Sequence, residues 1–158
     1  MRQVYLDSSA TTKTDARVAE LIFRQMTEGY GNPSSLHGLG FSAFTAVEKA
    51  RKQRAAALSC EERGIYFTSG GTEADNWAIL GAAEAKKRAG NRVVTTSFEH
   101  PAVLASVDRL SQLGFETVYI APDGKGHIDP DEMIDAVDDK TILLSVMLMN
   151  NEVGSVID

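Results

Sequence analysis

From residue 65 onward, short apolar or β-branched runs alternate with helical periodicities, and this alternation leaves few folds open. Residues 65–68, 92–96, 116–120 and 142–147 are short and almost continuously apolar or β-branched, as strands buried on both faces are. Val18, Leu21, Ile22 and Met26 mark a helix near 15–28. Phe44, Val47, Ala55 and Leu58 mark a longer one near 36–59. A helix from Glu73 carries Ala74, Trp77, Ala78, Gly81, Ala82 and Ala85 on one face, small enough to lie close to a sheet. Val103, Leu104, Val107 and Leu110 give the next helix, ending before Gly114, and Met133, Ile134 and Val137 a short last one. Strands alternating with helices predict βαβ units with right-handed crossovers: an α/β fold, a parallel-strand three-layer αβα sandwich.

The chain has 158 residues, enough for a real core. Its net charge of -6, without a basic stripe, argues against direct nucleic-acid binding and against an anionic membrane surface. No apolar run approaches membrane length, and Met1-Arg2-Gln3-Val4-Tyr5-Leu6-Asp7 lacks a signal-peptide core. The single cysteine, Cys60, cannot close an internal disulfide, so a reducing cytoplasm is the default. No residue is assigned to a metal.

Ligands in open α/β sheets gather at the carboxyl ends of the strands. Three polar clusters follow strands here, at 69–76, 98–101 and 150–154. In the first, Thr68-Ser69-Gly70-Gly71-Thr72-Glu73 turns tightly into a helix, whose unpaired amides and dipole make a phosphate cradle. Thr72 with Asp75 fits a capping box. By itself the turn reads first as a plain strand-to-helix connection with a capped helix, for it is neither a dinucleotide fingerprint nor a P-loop. His100 before Pro101 can cap a helix or offer a flat ring that stacks on an aromatic cofactor. Asn150-Asn151 can be a turn or can donate to a phenolate-type oxygen. Asp129-Pro130-Asp131-Glu132 is a cap followed by proline at the first helical position. His37 and His127 have no visible partners, and Cys60 reads as incidental.

Five ordered motifs carry a resemblance: Tyr5-Leu6-Asp7-Ser8-Ser9-Ala10-Thr11-Thr12, Gly31-Asn32-Pro33-Ser34-Ser35-Leu36-His37, residues 67–76, Glu99-His100, and Asn150-Asn151-Glu152-Val153-Gly154. Together they resemble the amino-terminal part of the cysteine desulfurases, class V aminotransferases among the fold-type I pyridoxal-phosphate enzymes. The resemblance implies that Gly71 and Thr72 bind the phosphate of pyridoxal 5'-phosphate. His100 would stack over its ring and serve proton transfers, and Asn151 would hold the phenolic oxygen. Residues 5–12 and the loop with Asn32 and His37 would border the substrate pocket. It implies a segment at 1–35 beside that pocket and, over 36–158, part of the large cofactor domain. The implied reaction converts L-cysteine to L-alanine and an enzyme persulfide in a homodimer. A sulfur-acceptor protein would pass the sulfur to iron–sulfur clusters or tRNA thiolation.

Lys13 stands where the family usually has proline, Ser8-Ser9 replaces a commoner aromatic or asparagine followed by a small residue, and Leu148 stands where a histidine is frequent. The family's Schiff-base lysine, pyridinium-binding aspartate, remaining phosphate ligands and nucleophilic cysteine are expected beyond Asp158, so the 158 residues alone are expected to be inactive. Selenocysteine lyase or another class V lyase or aminotransferase keeps the same fold. A non-catalytic fragment or interaction module is a reading of another class. The resemblance also implies that the run at 65–68 is separated from the other three strands. Its edges then lack ladder partners, and the isolated chain exposes a large apolar surface.

Overall fold

The computed structural model describes residues 4–157. The first three residues of the region expected over 1–35, and the last of that expected over 36–158, lie outside it. Two compact units divide between Phe67 and Thr68.

The second unit holds the sheet. Strands β1 (Arg92–Thr96), β2 (Glu116–Ile120) and β3 (Thr141–Ser145) are all parallel, in the order β2-β1-β3. Central β1 is buried from Val93 to Thr96, while the two outer strands are only partly covered. A bulge next to Arg92 pairs it with Thr141 but Val93 with Leu143, which leaves Ile142 as the extra residue. β3 ends earlier than the apolar run at 142–147 suggests, because the Met147 amide donates to the Glu99 side chain and not to a neighbouring strand.

Successive side chains of β1 face opposite layers. Val93 packs with Ile79 and Ala83 of α3 (Gly71–Lys86) and with Val103, Val107 and Leu110 of α4 (Pro101–Gln112). Val94 packs with Ile120, Ile128 and Met133, the last on α5 (Pro130–Ala136). Helices thus cover both faces, which gives the expected αβα layering. Tyr119 on β2 donates to Asp108 on α4 at 2.5 Å. Burial, helped by that bond, pushes its phenol up to about 12.

The face assigned to α3 is wrong in the sequence reading. Its small residues leave two faces nearly equal in apolarity, and packing selects the face of Ile79 and Ala83. Trp77, Ala78 and Gly81 remain exposed. The Thr72–Asp75 capping box does not form either. α3 begins two residues earlier than such a box requires, with Gly70 at the cap, so Thr72 already lies within the first turn.

The first unit contains α1 (Ala16–Thr27), α2 (Gly38–Ala57) and a 3₁₀ turn at Glu62–Gly64. Asp15 caps α1 by accepting from the Arg17 amide at 2.8 Å. Residues 65–68 form no strand. A strand needs a ladder partner, and Ile65 finds a side chain in its place: Arg51 of α2 donates to its carbonyl and stands 5.1 Å from the Phe67 ring centroid.

None of the residues of α1 is buried; Phe23 is 66% and Met26 75% exposed, and in the second unit Ile134 is 67% and Leu148 75% exposed. Apolar area on this scale is unusual for a self-sufficient domain. Residues 1–158 as a separate polypeptide are therefore expected to bind the dye ANS strongly and to unfold over a broad denaturant range. A sharp transition without dye fluorescence would contradict this. Among the described residues no helix is long and apolar enough to cross a membrane, and no cluster of three or more His, Cys, Asp or Glu side chains could hold a metal ion.

Candidate active site

The site residues of the second unit collect at one edge of its sheet because of chain direction. β1 and β3 run parallel, so the turns that follow them, carrying His100 and Asn151, leave the same edge. α3 feeds β1 through the short connection at 87–91 and packs on β3 and α4. It must run against β1, and its sixteen residues span about 24 Å. Its amino end, with Gly71 and Thr72, therefore points to the edge where β1 and β3 finish.

That end of α3 has the donors an anion needs. The first intrahelical bond runs from the Ala74 amide to the Gly70 carbonyl at 3.1 Å, and Gly70 has no side chain to cap the preceding amides. The Gly71, Thr72 and Glu73 amides are the donors of this first turn, at the positive end of the helix dipole. A Cβ built on Gly70 or Gly71 meets no atom within 4 Å, so the space beside the turn is open. Glu73 reaches back to accept from the Ser69 amide and hydroxyl, both at 2.7 Å, which fixes the turn and holds its carboxyl below the usual range. A phosphate fits this chemistry.

His100 caps α4. Its Nδ1 accepts from the Ala102 amide at 3.1 Å, and Pro101 takes the first helical position. The bond fixes the ring to the helix start while the residue stays exposed. Asn151 is exposed at the tip of a tight hairpin, in which Ile157 donates to the Leu148 carbonyl and Asn150 to that of Ser155.

Two residues hold this edge together: Asn150, read from sequence as part of a turn or a donor, and Glu99, to which the sequence reading gave no role of its own. Asn150, 6% exposed, donates from Nδ2 to the Phe98 carbonyl at 2.9 Å and accepts at Oδ1 from the Glu152 and Val153 amides. Glu99, 7% exposed, accepts at Oε1 from Thr96 Oγ1 at 2.8 Å and from the Met147 amide at 2.7 Å. The turn read at Asn150-Asn151 is present, with Asn150 accepting from the amides two and three residues on, but its bond to Phe98 has no local signal. The Glu99 bond from Met147 spans 48 residues and leaves no local signal.

Asn32 and His37 belong to the first unit. Asn32 Oδ1 accepts from the Ser34 amide at 2.9 Å, and His37 Nδ1 caps α2 by accepting from Gly40 at 3.3 Å. His37 therefore does have a partner, as does His127, whose Nδ1 stands 3.7 Å from Asp123 Oδ2. The loop closes on glycines: a Cβ on Gly31 would lie 2.3 Å from the Leu39 carbonyl oxygen, and one on Gly40 2.1 Å from that of Ser35.

A parallel α/β sheet whose carboxyl edge carries an uncapped helix start and an exposed imidazole has the layout expected of a phosphate-cofactor site. The comparisons narrow that layout to one family. The aminotransferase class-V profile matches residues 4–158, and the chain belongs to that family, whose members use pyridoxal 5'-phosphate. It is similar to the cysteine desulfurase IscS of Methanosarcina thermophila, 47% identical over 155 residues, which cover 98% of this chain and 38% of the relative. Among solved structures it is similar to a NifS-like protein, with a TM-score of 0.92 and 40% identity over 98% of this chain and 43% of that one. SspA in complex with cysteine gives 0.88 and 31%, covering 96% and 44%. The chain thus spans well under half the length of each of these proteins.

Proposed function

We propose that the full-length protein is a cysteine desulfurase that takes sulfur from L-cysteine, leaving L-alanine and an enzyme persulfide. The observation that carries this reading is the shared edge: the amide-rich start of α3, His100 and Asn151, in a chain that matches the family from residue 4. Gly71 and Thr72 would hold the phosphate of pyridoxal 5'-phosphate through their amides. The His100 ring would cover one face of the pyridine and exchange protons with the substrate, and the Asn151 carboxamide would donate to the phenolic oxygen. The cofactor, when bound, supplies an electron sink at the substrate carbon. Residues 1–35, with the loop of Asn32 and His37, would border the substrate pocket, and 36–158 would form part of the large cofactor domain. A thiolate outside these residues would attack the substrate sulfur, the ordinary use of an activated nucleophile. We place the protein in the cytoplasm as a homodimer that hands sulfur to an acceptor protein for iron–sulfur cluster or tRNA thiolation, without touching nucleic acid or membrane itself.

The test uses the full-length protein with pyridoxal 5'-phosphate and L-cysteine. Alanine and protein-bound sulfane sulfur are expected in equal amounts. Alanine from selenocysteine alone, or no alanine at all, would reject the desulfurase.

A further inference from the structure

Beside the residues assigned to the cofactor lies a buried carboxylate with no evident need to be one. Glu99 sits in the turn between β1 and α4, and among the described residues no ion pair includes it. Burying a carboxylate without a cation is costly unless its hydrogen bonds compensate. Its two bonds are informative because of where they lead. Thr96 ends β1, and Met147 lies just past the end of β3. Next to it, the Phe98 carbonyl accepts from Asn150. The two residues before His100 are thus tied to the residue before Asn151 and to Met147, across 48 and 52 positions of sequence.

We propose that Glu99 is a positioning residue: it locks the turn after β1 to the turn after β3 and so sets the spacing between His100 and Asn151. The inference rests on the cofactor reading above and adds a group that touches neither cofactor nor substrate. Both bonds end on a single oxygen. A glutamine carbonyl can accept the same two donors, whereas an aspartate, one methylene shorter, cannot span them.

The full-length protein and its Glu99→Gln, Glu99→Asp and Glu99→Ala variants separate the possibilities. The readouts are affinity for pyridoxal 5'-phosphate and the visible circular dichroism of the bound cofactor at saturation, with far-UV dichroism of the apoprotein as the folding control. Glu99→Gln is expected to keep the visible band and to stay within about two-fold of the parent affinity. Glu99→Asp and Glu99→Ala are expected to lose about ten-fold or more in affinity and to weaken the visible dichroic band, with the far-UV signal unchanged. If Glu99→Ala does not fold, Glu99→Asp carries the test, because it retains the charge. Parent-like dichroism in Glu99→Asp would overturn the proposal, and so would equal damage in Glu99→Gln, which would make charge and not reach the cause. Parent protein that takes up no pyridoxal 5'-phosphate would sink the desulfurase reading itself, a result distinct from either.

Discussion

Alanine in place of His100 should slow turnover of the full-length protein by about 10²–10⁴-fold, the usual worth of a positioned proton-transfer group. Such a loss corresponds to about 3–5 kcal/mol of barrier. His100 has a second role that could confuse the result, for its Nδ1 caps α4 by accepting from Ala102. Removing a cap costs about 1 kcal/mol of stability, too little to account for the rate. Asparagine separates the two roles, because its short side chain is a good cap but has no ring to stack or to shuttle protons. His100→Asn is therefore expected to unfold at nearly the parent temperature and yet turn over as slowly as His100→Ala. Turnover restored by asparagine would mean that the ring serves only α4, and the role assigned to it here would fall. The measurements are initial rates of alanine release and thermal unfolding of the same preparations.

The sequence showed those parts of the fold in which local chemistry and tertiary packing agree. β1 and β2 appear at the expected residues because their apolar, β-branched runs also sit against neighbours in the sheet. α5 starts where Asp129 and Pro130 place it, with the Asp129 carboxylate accepting from the Asp131 amide at 2.9 Å. Local signals misled where a partner elsewhere decides the outcome. The run at 65–68 has strand composition but no ladder beside it, and Arg51 claims the Ile65 carbonyl. On α3, spacing alone could not choose between the small-residue face and that of Ile79 and Ala83, since both are apolar. The site divides in the same way. The glycine turn and His100-Pro101 were legible because a helix start is written in consecutive residues. The turn at Asn150 was legible too, but the bonds from Met147 to Glu99 and from Asn150 to Phe98 were not, because each joins residues about fifty positions apart.

Leu110→Ala is the larger stability test, with an expected loss of about 2–5 kcal/mol in the full-length protein. Leu110 is 2% exposed and packs with Val107, Val103 and Ala83 under β1, so truncation leaves a cavity that a helix tied at both ends closes poorly. The upper part of the range is expected because α4 is also tied to β2 through the bond from Tyr119 to Asp108, which limits how far the helix can shift to fill the cavity. The functional consequence should be small. Ten residues of helix separate Leu110 from His100, a rise of about 15 Å, and the Ala102 amide that fixes the imidazole lies in the opposite end of α4. Below its lowered unfolding transition, Leu110→Ala should bind pyridoxal 5'-phosphate with the parent affinity, whereas Glu99→Asp should fold normally and bind it poorly. That opposite pairing of stability and affinity is what the structure demands if the core beneath α3 and α4 supports the edge while the Glu99 and Asn150 bonds shape it. A Leu110→Ala protein that lost cofactor affinity in proportion to its stability would show instead that the edge has no rigidity apart from the core under it.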